Sequence, residues 1–270
     1  YRGDQLRILL RRLRHQSTGP GFASHALSAT LSDPEGVARR YMDDCTVVRT
    51  EGGREIDVTY VGGVEDVLPL ARSRRWRKVL LFCNSRRRVE ETARSIMGQW
   101  GPYPVVVHHG SLERRHREGA EATMREERVA ACVCTSTLEV GVDIGDIDLV
   151  VLVEVPYSVS TLLQRLGRAN RREDRVHVAF VAGTPEVESM ALAMVTVAQR
   201  GDLPTTDYRP DLSVAVQQTL SLLYQYRAGV QEGVLADLLS PLIEADDLDR
   251  LLLHLRDHRW VTRQRDRWCA

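Results

Sequence analysis

From Lys78 onward the sequence alternates short, largely apolar runs with longer amphipathic stretches, and that alternation limits the fold to a small set. The runs cover residues 79–83, 104–107, 129–134, 149–153 and 176–181, and the stretches cover 86–100, 112–127, 160–168 and 187–199. A strand that is apolar on both sides has to be covered on both, and strands separated by helices pair in parallel. The expectation is an α/β unit: one open parallel sheet with helices on both faces, of ordinary domain size. Residues 1–50 repeat the style in miniature, with helices over 4–14 and 34–42 and strands over 22–27 and 46–48, too few strands to close a core. Residues 51–63, with Gly52-Gly53 and Gly62-Gly63, read as a polar connection carrying one strand. Beyond Gly201 the pattern changes to helices over 213–226, 231–239 and 246–257 and a tail over 260–268 that alternates like a hairpin. Three short helices ending in a β ribbon predict a winged helix.

Bulk composition narrows the function. At 270 residues and 43% hydrophobic the chain can bury a sizeable core, while a formal charge of zero gives no whole-chain field for nucleic acid. Contact with a polyanion then has to come from local patches, of which residues 72–88, with eight cations and no acid, are the most basic. A solvated helix end and loop explains part of that stretch equally well. The five cysteines, Cys45, Cys83, Cys132, Cys134 and Cys269, have no C-x-x-C spacing and read as reduced core thiols, with no metal site expected. No apolar run approaches a membrane span and no signal peptide opens the sequence, so a cytoplasmic location is expected. The start at Tyr1 and the stop after Ala270 read as those of a fragment.

The most pointed motif is Q-R-L-G-R-A-N-R over residues 164–171. On a continuous helix Arg168 and Arg171, three apart, share a face, and two guanidiniums presented together can grip a transferring phosphoryl group. A basic helix facing water accounts for the same letters. Three further elements each leave a strand at its carboxyl end, where open α/β sheets bind ligands and helix amino termini attract anions. They are Leu81-Phe82-Cys83-Asn84-Ser85-Arg86, His108-His109-Gly110-Ser111-Leu112, and the stretch from Thr135-Ser136 to Asp143, whose carboxylate suits a ribose. Capped strand ends are the bland alternative for each. The adjacent histidines would point to opposite sides of a strand, which argues against a metal pair. The sole lysine, Lys78, sits in no G-x-x-x-x-G-K-[ST] pattern, and no Asp-Glu pair occurs.

Taken in order, Ser28-Ala29-Thr30, residues 81–86, 109–112, 135–143 and 164–171 resemble motifs III, IV, the element between IV and V, V and VI of superfamily 2 helicases. L-F-C-N-S-R, H-H-G-S-L, T-S-T-L-E-V-G-V-D-I-G and L-L-Q-R-L-G-R-A-N-R are similar to those of the large helicase-related (Lhr) family. The stretch from Arg209 to Gln218 resembles the start of that family's winged-helix domain. The resemblance implies a RecA-like C-terminal lobe followed by a winged helix. Its divisions would be the end of a first RecA-like lobe over 1–50, a linker over 51–63, the second lobe over 64–203 and a winged helix, present for the most part, over 204–270.

Roles follow from the same resemblance. Arg168 and Arg171 would reach the ATP γ-phosphate with Gln164 assisting, and Gly141, Asp143 and Gly167 would face the nucleotide. Asn84, Ser85, Arg86, Gly110, Ser111, Thr135 and Ser136 would contact the phosphates of one strand, and Ser28 and Thr30 would couple hydrolysis to movement. The implied cofactors are ATP and Mg²⁺, held mainly by an amino-terminal lobe that carries the P-loop and the D-E-x-H box. The implied activity is that of a monomeric, 3′-to-5′ helicase or translocase of DNA repair. It would act on single-stranded or tailed DNA or an RNA–DNA hybrid, away from membranes, and this chain alone would not hydrolyse ATP. The rival reading is a non-enzymatic nucleic-acid-binding or regulatory module from a split or truncated gene.

Overall fold

In chain order, helices α1 (Arg2–Gln16) and α2 (Pro34–Tyr41) precede strand β1 (Glu55–Val61). Helix α3 (Val67–Ser73), β2 (Lys78–Phe82), α4 (Arg86–Met97), β3 (Val105–His108), α5 (Arg114–Glu126) and β4 (Ala130–Cys134) come next. They are followed by β5 (Leu149–Leu152), α6 (Val159–Leu166), β6 (Arg175–Val181) and α7 (Pro185–Arg200). The chain ends with α8 (Leu212–Gln225), β7 (Val230–Gln231), α9 (Glu232–Leu239), α10 (Ala245–Asp257), β8 (Thr262–Gln264) and β9 (Arg267–Cys269). The structure, a computed structural model, describes residues 1–18, 22–28, 31–42, 44–49, 54–139, 142–169, 175–201, 203 and 208–270. Two units emerge: Ser28–Ser32 with Val48–Pro204, and Tyr1–Leu27 with Asp33–Val47 and Thr205–Ala270.

The first unit is built on a six-stranded sheet in the order β1-β6-β5-β2-β4-β3, with every paired neighbour parallel. Because side chains alternate along a strand, each apolar run feeds two cores. Leu80, Phe82, Cys132, Cys134, Val150 and Leu152 turn to one side, where Met124 of α5, Leu162 and Leu166 of α6 and Val195 of α7 cover them. Val79, Leu81, Ala131, Val133, Leu149 and Val151 turn to the other, under Leu68 of α3 and Val89, Ala93 and Ile96 of α4. Full burial of each such aliphatic side chain contributes about 1.5–3 kcal/mol, and this double covering is what lets the runs be apolar throughout. The expected parallel α/β sheet is therefore present.

Two expectations for its borders need correction. The strand expected within the linker 51–63 is present as β1, but it pairs with β6 along its whole length from Glu55↔Arg175 to Val61↔Val181, so the sheet begins at Glu55 rather than after residue 63. Gly52 and Gly53 lie outside the described residues. The strands expected over 22–27 and 46–48 do not form: those residues carry no regular structure, and Leu27 and Val48 are exposed. With no neighbouring edge to accept their backbone hydrogen bonds, apolar letters alone do not make a strand.

The second unit gathers sequence-remote pieces. Helices α8, α9 and α10 pack with the antiparallel sheet β7-β9-β8 around Leu222, Leu235, Leu239, Leu252 and Trp268. The expected tail hairpin is present, and β7 makes it three-stranded. Trp268 is buried and its indole N–H donates to Glu232 Oε2 at 3.0 Å, which satisfies the one polar atom of that ring. Gly229, at φ +79°, makes the turn into β7; a Cβ there would stand 2.7 Å from Cys269 Sγ, so only glycine fits. Helix α1 joins this group, which the division at residue 50 did not foresee. Its buried stripe is Asp4, Ile8 and Arg12, four apart, with Ile8 inside the α8–α10 core. No helix among the described residues is long and apolar enough to cross a membrane.

Candidate functional site

All six strands of the parallel sheet end at one edge, and the order β2-β4-β3 makes three of the motif-bearing ends neighbours, about 4.8 Å apart from strand to strand. Backbone hydrogen bonds carry the ladder to those ends: Cys83 N–H donates to Cys134 O at 2.8 Å and Thr135 N–H to His108 O at 3.2 Å. Asn84-Ser85-Arg86, Thr135-Ser136 and Gly110-Ser111 thus stand side by side, and Ser85, Arg86, Gly110, Ser111 and Ser136 are exposed.

Ser85 caps α4, its Oγ accepting from Arg88 N–H at 3.2 Å. Arg86, Arg87 and Arg88 then fill the first turn, at the positive end of the helix dipole, where cations are unfavourable. Glu91 offsets part of this by pairing with Arg87 at 2.8 Å and Arg88 at 3.6 Å, and the Arg87 guanidinium holds the exposed Glu91 carboxyl below its ordinary range. An anion at this helix end would be met by both dipole and guanidiniums. A cavity of about 410 Å³ opens nearby, bordered by Gly62, Gly183, Arg88, Glu91 and Thr92.

The histidine pair is structural. His108, buried, is bonded through Nδ1 to Thr137 Oγ1 at 2.8 Å and through Nε2 to Glu121 of α5 at 3.0 Å. His109 Nε2 meets Glu90 of α4 at 3.1 Å. Adjacent residues therefore reach helices on opposite faces of the sheet, bracing the strand end that precedes Gly110. Among the described residues no group of three or more His, Cys, Asp or Glu side chains is placed to hold a metal ion.

The motif over residues 164–171 is arranged differently from a continuous helix. α6 ends at Leu166 and Gly167 is its C-cap, so Arg168 lies past the helix, and Ala169 forms an isolated parallel bridge with Ile147. Arg168 is oriented by backbone: Nη1 donates to Val142 O at 3.1 Å and Nη2 to Glu139 O at 2.9 Å. Gln164 is half-buried on α6 and Asp143 is exposed, its Oδ1 accepting from Gly145 N–H at 3.1 Å in the turn after β4. Arg171, Gly141 and Thr30 lie outside the described residues, and Ser28 falls in a stretch without regular structure.

Arg165, to which the motif reading assigns no role of its own and which a basic helix would turn to water, is 2% exposed. Its Nε donates to Glu139 Oε1 at 2.8 Å and its Nη2 to Asn84 Oδ1 at 3.1 Å. Asn84 is spoken for on its other side as well, Nδ2 donating to Val155 O at 2.9 Å while its backbone N–H donates to Glu154 Oε2 at 2.9 Å. The signal was in the register: three residues after Leu162 and one before Leu166, Arg165 falls on the apolar stripe of α6. The lone lysine proves to be a helix cap, with Lys78 Nζ donating to the carbonyls of Met124 and Arg125 at the end of α5.

Known proteins resemble this chain in sequence and fold. Residues 63–173 match the helicase conserved C-terminal domain. The chain is 32% identical over 188 residues to the ATP-dependent helicase Lhr-Core of Methanocaldococcus jannaschii, covering 63% of this chain and 22% of that protein. It is 28% identical over 282 residues to the Lhr-Core helicase of Saccharolobus solfataricus, covering 93% and 30%. The structure of Mycobacterium smegmatis helicase Lhr bound to ssDNA and AMP-PNP is similar at a TM-score of 0.80 and 25% identity, over 93% of this chain and 36% of that one. The chain thus spans between 22% and 36% of the length of these relatives.

Proposed function

As a chain of the Lhr family of superfamily 2 helicases, with the parallel sheet of a RecA-like C-terminal lobe, this protein, we propose, supplies one half of an ATP-driven nucleic-acid motor. The observation that carries the reading is the row of adjacent strand ends β2, β4 and β3, with Arg86–Arg88 crowded at the positive end of α4. Ser85, Arg86, Gly110, Ser111, Thr135 and Ser136 contact successive phosphates of one strand of single-stranded or tailed DNA. Asn84 has only the second hydrogen of Nδ2 to offer a phosphate, since its backbone N–H and the rest of its side chain are engaged within the protein.

At the other end of the same turns, Arg168 and Arg171 close on the γ-phosphate, Gln164 assists, and Gly141, Asp143 and Gly167 shape the nucleotide-facing side. Two carbonyls orienting Arg168 support that role, because a guanidinium fixed before the phosphoryl group arrives needs no reorganisation. ATP and Mg²⁺ are held mainly by an amino-terminal RecA-like lobe, and ATP supplies the free energy. Ser28 and Thr30 link the halves, and the unit of α8–α10 and β7–β9 serves as a winged helix. The whole motor tracks 3′ to 5′ in DNA repair, as a cytoplasmic monomer.

The test is a titration of labelled single-stranded DNA against this chain at several salt concentrations. Affinity should fall with salt as expected for a few neutralised phosphates, and Ser85→Ala with Thr135→Ala should weaken it about tenfold. Binding that ignores both changes and depends on residues 256–267 alone would favour the non-enzymatic module. ATP turnover by the chain alone should stay at background; DNA-stimulated turnover abolished by Arg171→Ala would break the proposal.

A further inference from the structure

We propose that Arg165 is a positioning residue that ties the strand-contact end of β2 to the turn holding Arg168. Three segments meet at its guanidinium. Asn84, 81 residues upstream at the end of β2, accepts from Nη2; Glu139, 26 residues upstream in the turn after β4, accepts from Nε; Arg165 itself stands on α6. The carbonyl of that same Glu139 holds Arg168 Nη2 at 2.9 Å. A path of charge-assisted hydrogen bonds therefore runs from Asn84 through Arg165 and Glu139 to Arg168. Its ends are the two ligand-facing places of the proposed function, on which this inference rests.

Stability alone is a poor reason for this arginine. The Arg165 and Glu139 side chains are 2% and 9% exposed, and a buried ion pair is often matched or bettered by apolar residues of similar volume. Nη1 is buried with no hydrogen-bond partner among the described residues, an uncompensated donor. The guanidinium also lies over the Phe82 ring, 5.2 Å from its centroid. What the planar fork provides that an apolar side chain cannot is fixed direction toward two loops at once.

Hydrogen exchange by mass spectrometry on the whole chain tests this directly, with melting curves and the DNA titration alongside. Glu139→Ala should raise exchange about tenfold at residues 84–88, on a different strand, whereas Glu139→Gln, which keeps an oxygen for Nε, should stay within about twofold of the parent. Arg165→Met with Glu139→Leu replaces the pair by apolar groups; it should melt near the parent yet show the same rise at residues 84–88 and about tenfold weaker DNA binding. Unchanged exchange at residues 84–88 in Glu139→Ala overturns the proposal, as does a folded double variant that exchanges and binds like the parent. If the double variant does not fold, the Glu139→Ala and Glu139→Gln comparison decides. If the parent chain itself fails to bind DNA, the functional reading fails, and the exchange results still decide whether Arg165 positions these loops.

Discussion

Arg165 in the sheet unit and Arg12 in the helical unit are both buried arginines, and they are held by different kinds of partner. Arg165 has a carboxylate, Glu139, and an amide. Arg12 donates only to neutral groups on one side of α8, Gln218 Oε1 at 2.7 Å, Ser221 Oγ at 3.1 Å and Gln225 Oε1, and loss of solvation lowers its pKa. In the first case one contact joins loops that bear ligand-facing residues; in the second a ladder along two helices fastens α1 to α8. The difference teaches that a buried charge is informative through what it connects, more than through its being buried.

Arg165→Met alone should strain the comparison most, because it leaves the Glu139 carboxylate buried without its cation; the expected loss is about 3–5 kcal/mol, read by urea unfolding. Arg12→Met leaves only neutral acceptors unsatisfied, so a smaller loss of about 1–3 kcal/mol is expected, with faster hydrogen exchange confined to α1 and α8. Equal losses for the two would erase the distinction.

The dryness of the sheet edge gives a third test. Burial pushes the Cys83 thiol up to about 11, so the folded state favours its protonated form. The stability this gives is complete below the ordinary thiol range and is lost as pH rises toward 11, by at most roughly 2–3 kcal/mol. The melting point should fall over that window less steeply in Cys83→Val than in the parent. At pH 8, iodoacetamide should modify the half-buried Cys269 of the helical unit well before Cys83. Smallest of all, breaking an exposed pair in either unit, by Arg87→Ala or Arg250→Ala, should leave both melting points where they were.

The strands and helices of the sheet were legible because a doubly covered strand has to be apolar throughout, as at residues 79–83 and 149–153. The three motif ends were legible for the same reason, as polar letters where an apolar run stops. What escaped was pairing at a distance. Residues 22–27 have apolar letters as β1 does, yet β1 bonds to the edge of β6 and they join no sheet among the described residues. Helix α1 was recognised as a helix, but a stripe of Asp4, Ile8 and Arg12 does not say which core receives it. The place of Arg165 escaped because charge outweighs register in such a reading, and an amide at a strand end, such as Asn84, serves a phosphate or a neighbouring loop with the same letters.

The separation between partners has a consequence for how the chain folds as it is made. Arg12 waits for Gln218, 206 residues later, and Glu55 of the edge strand waits for Arg175, 120 residues later, before either finds its contact. Contacts this remote in sequence slow folding, because loop closure must precede any gain. During synthesis α1 and β1 emerge long before their seats exist, leaving the edge of β1 unpaired and Ile8 uncovered until β6 and α8–α10 follow.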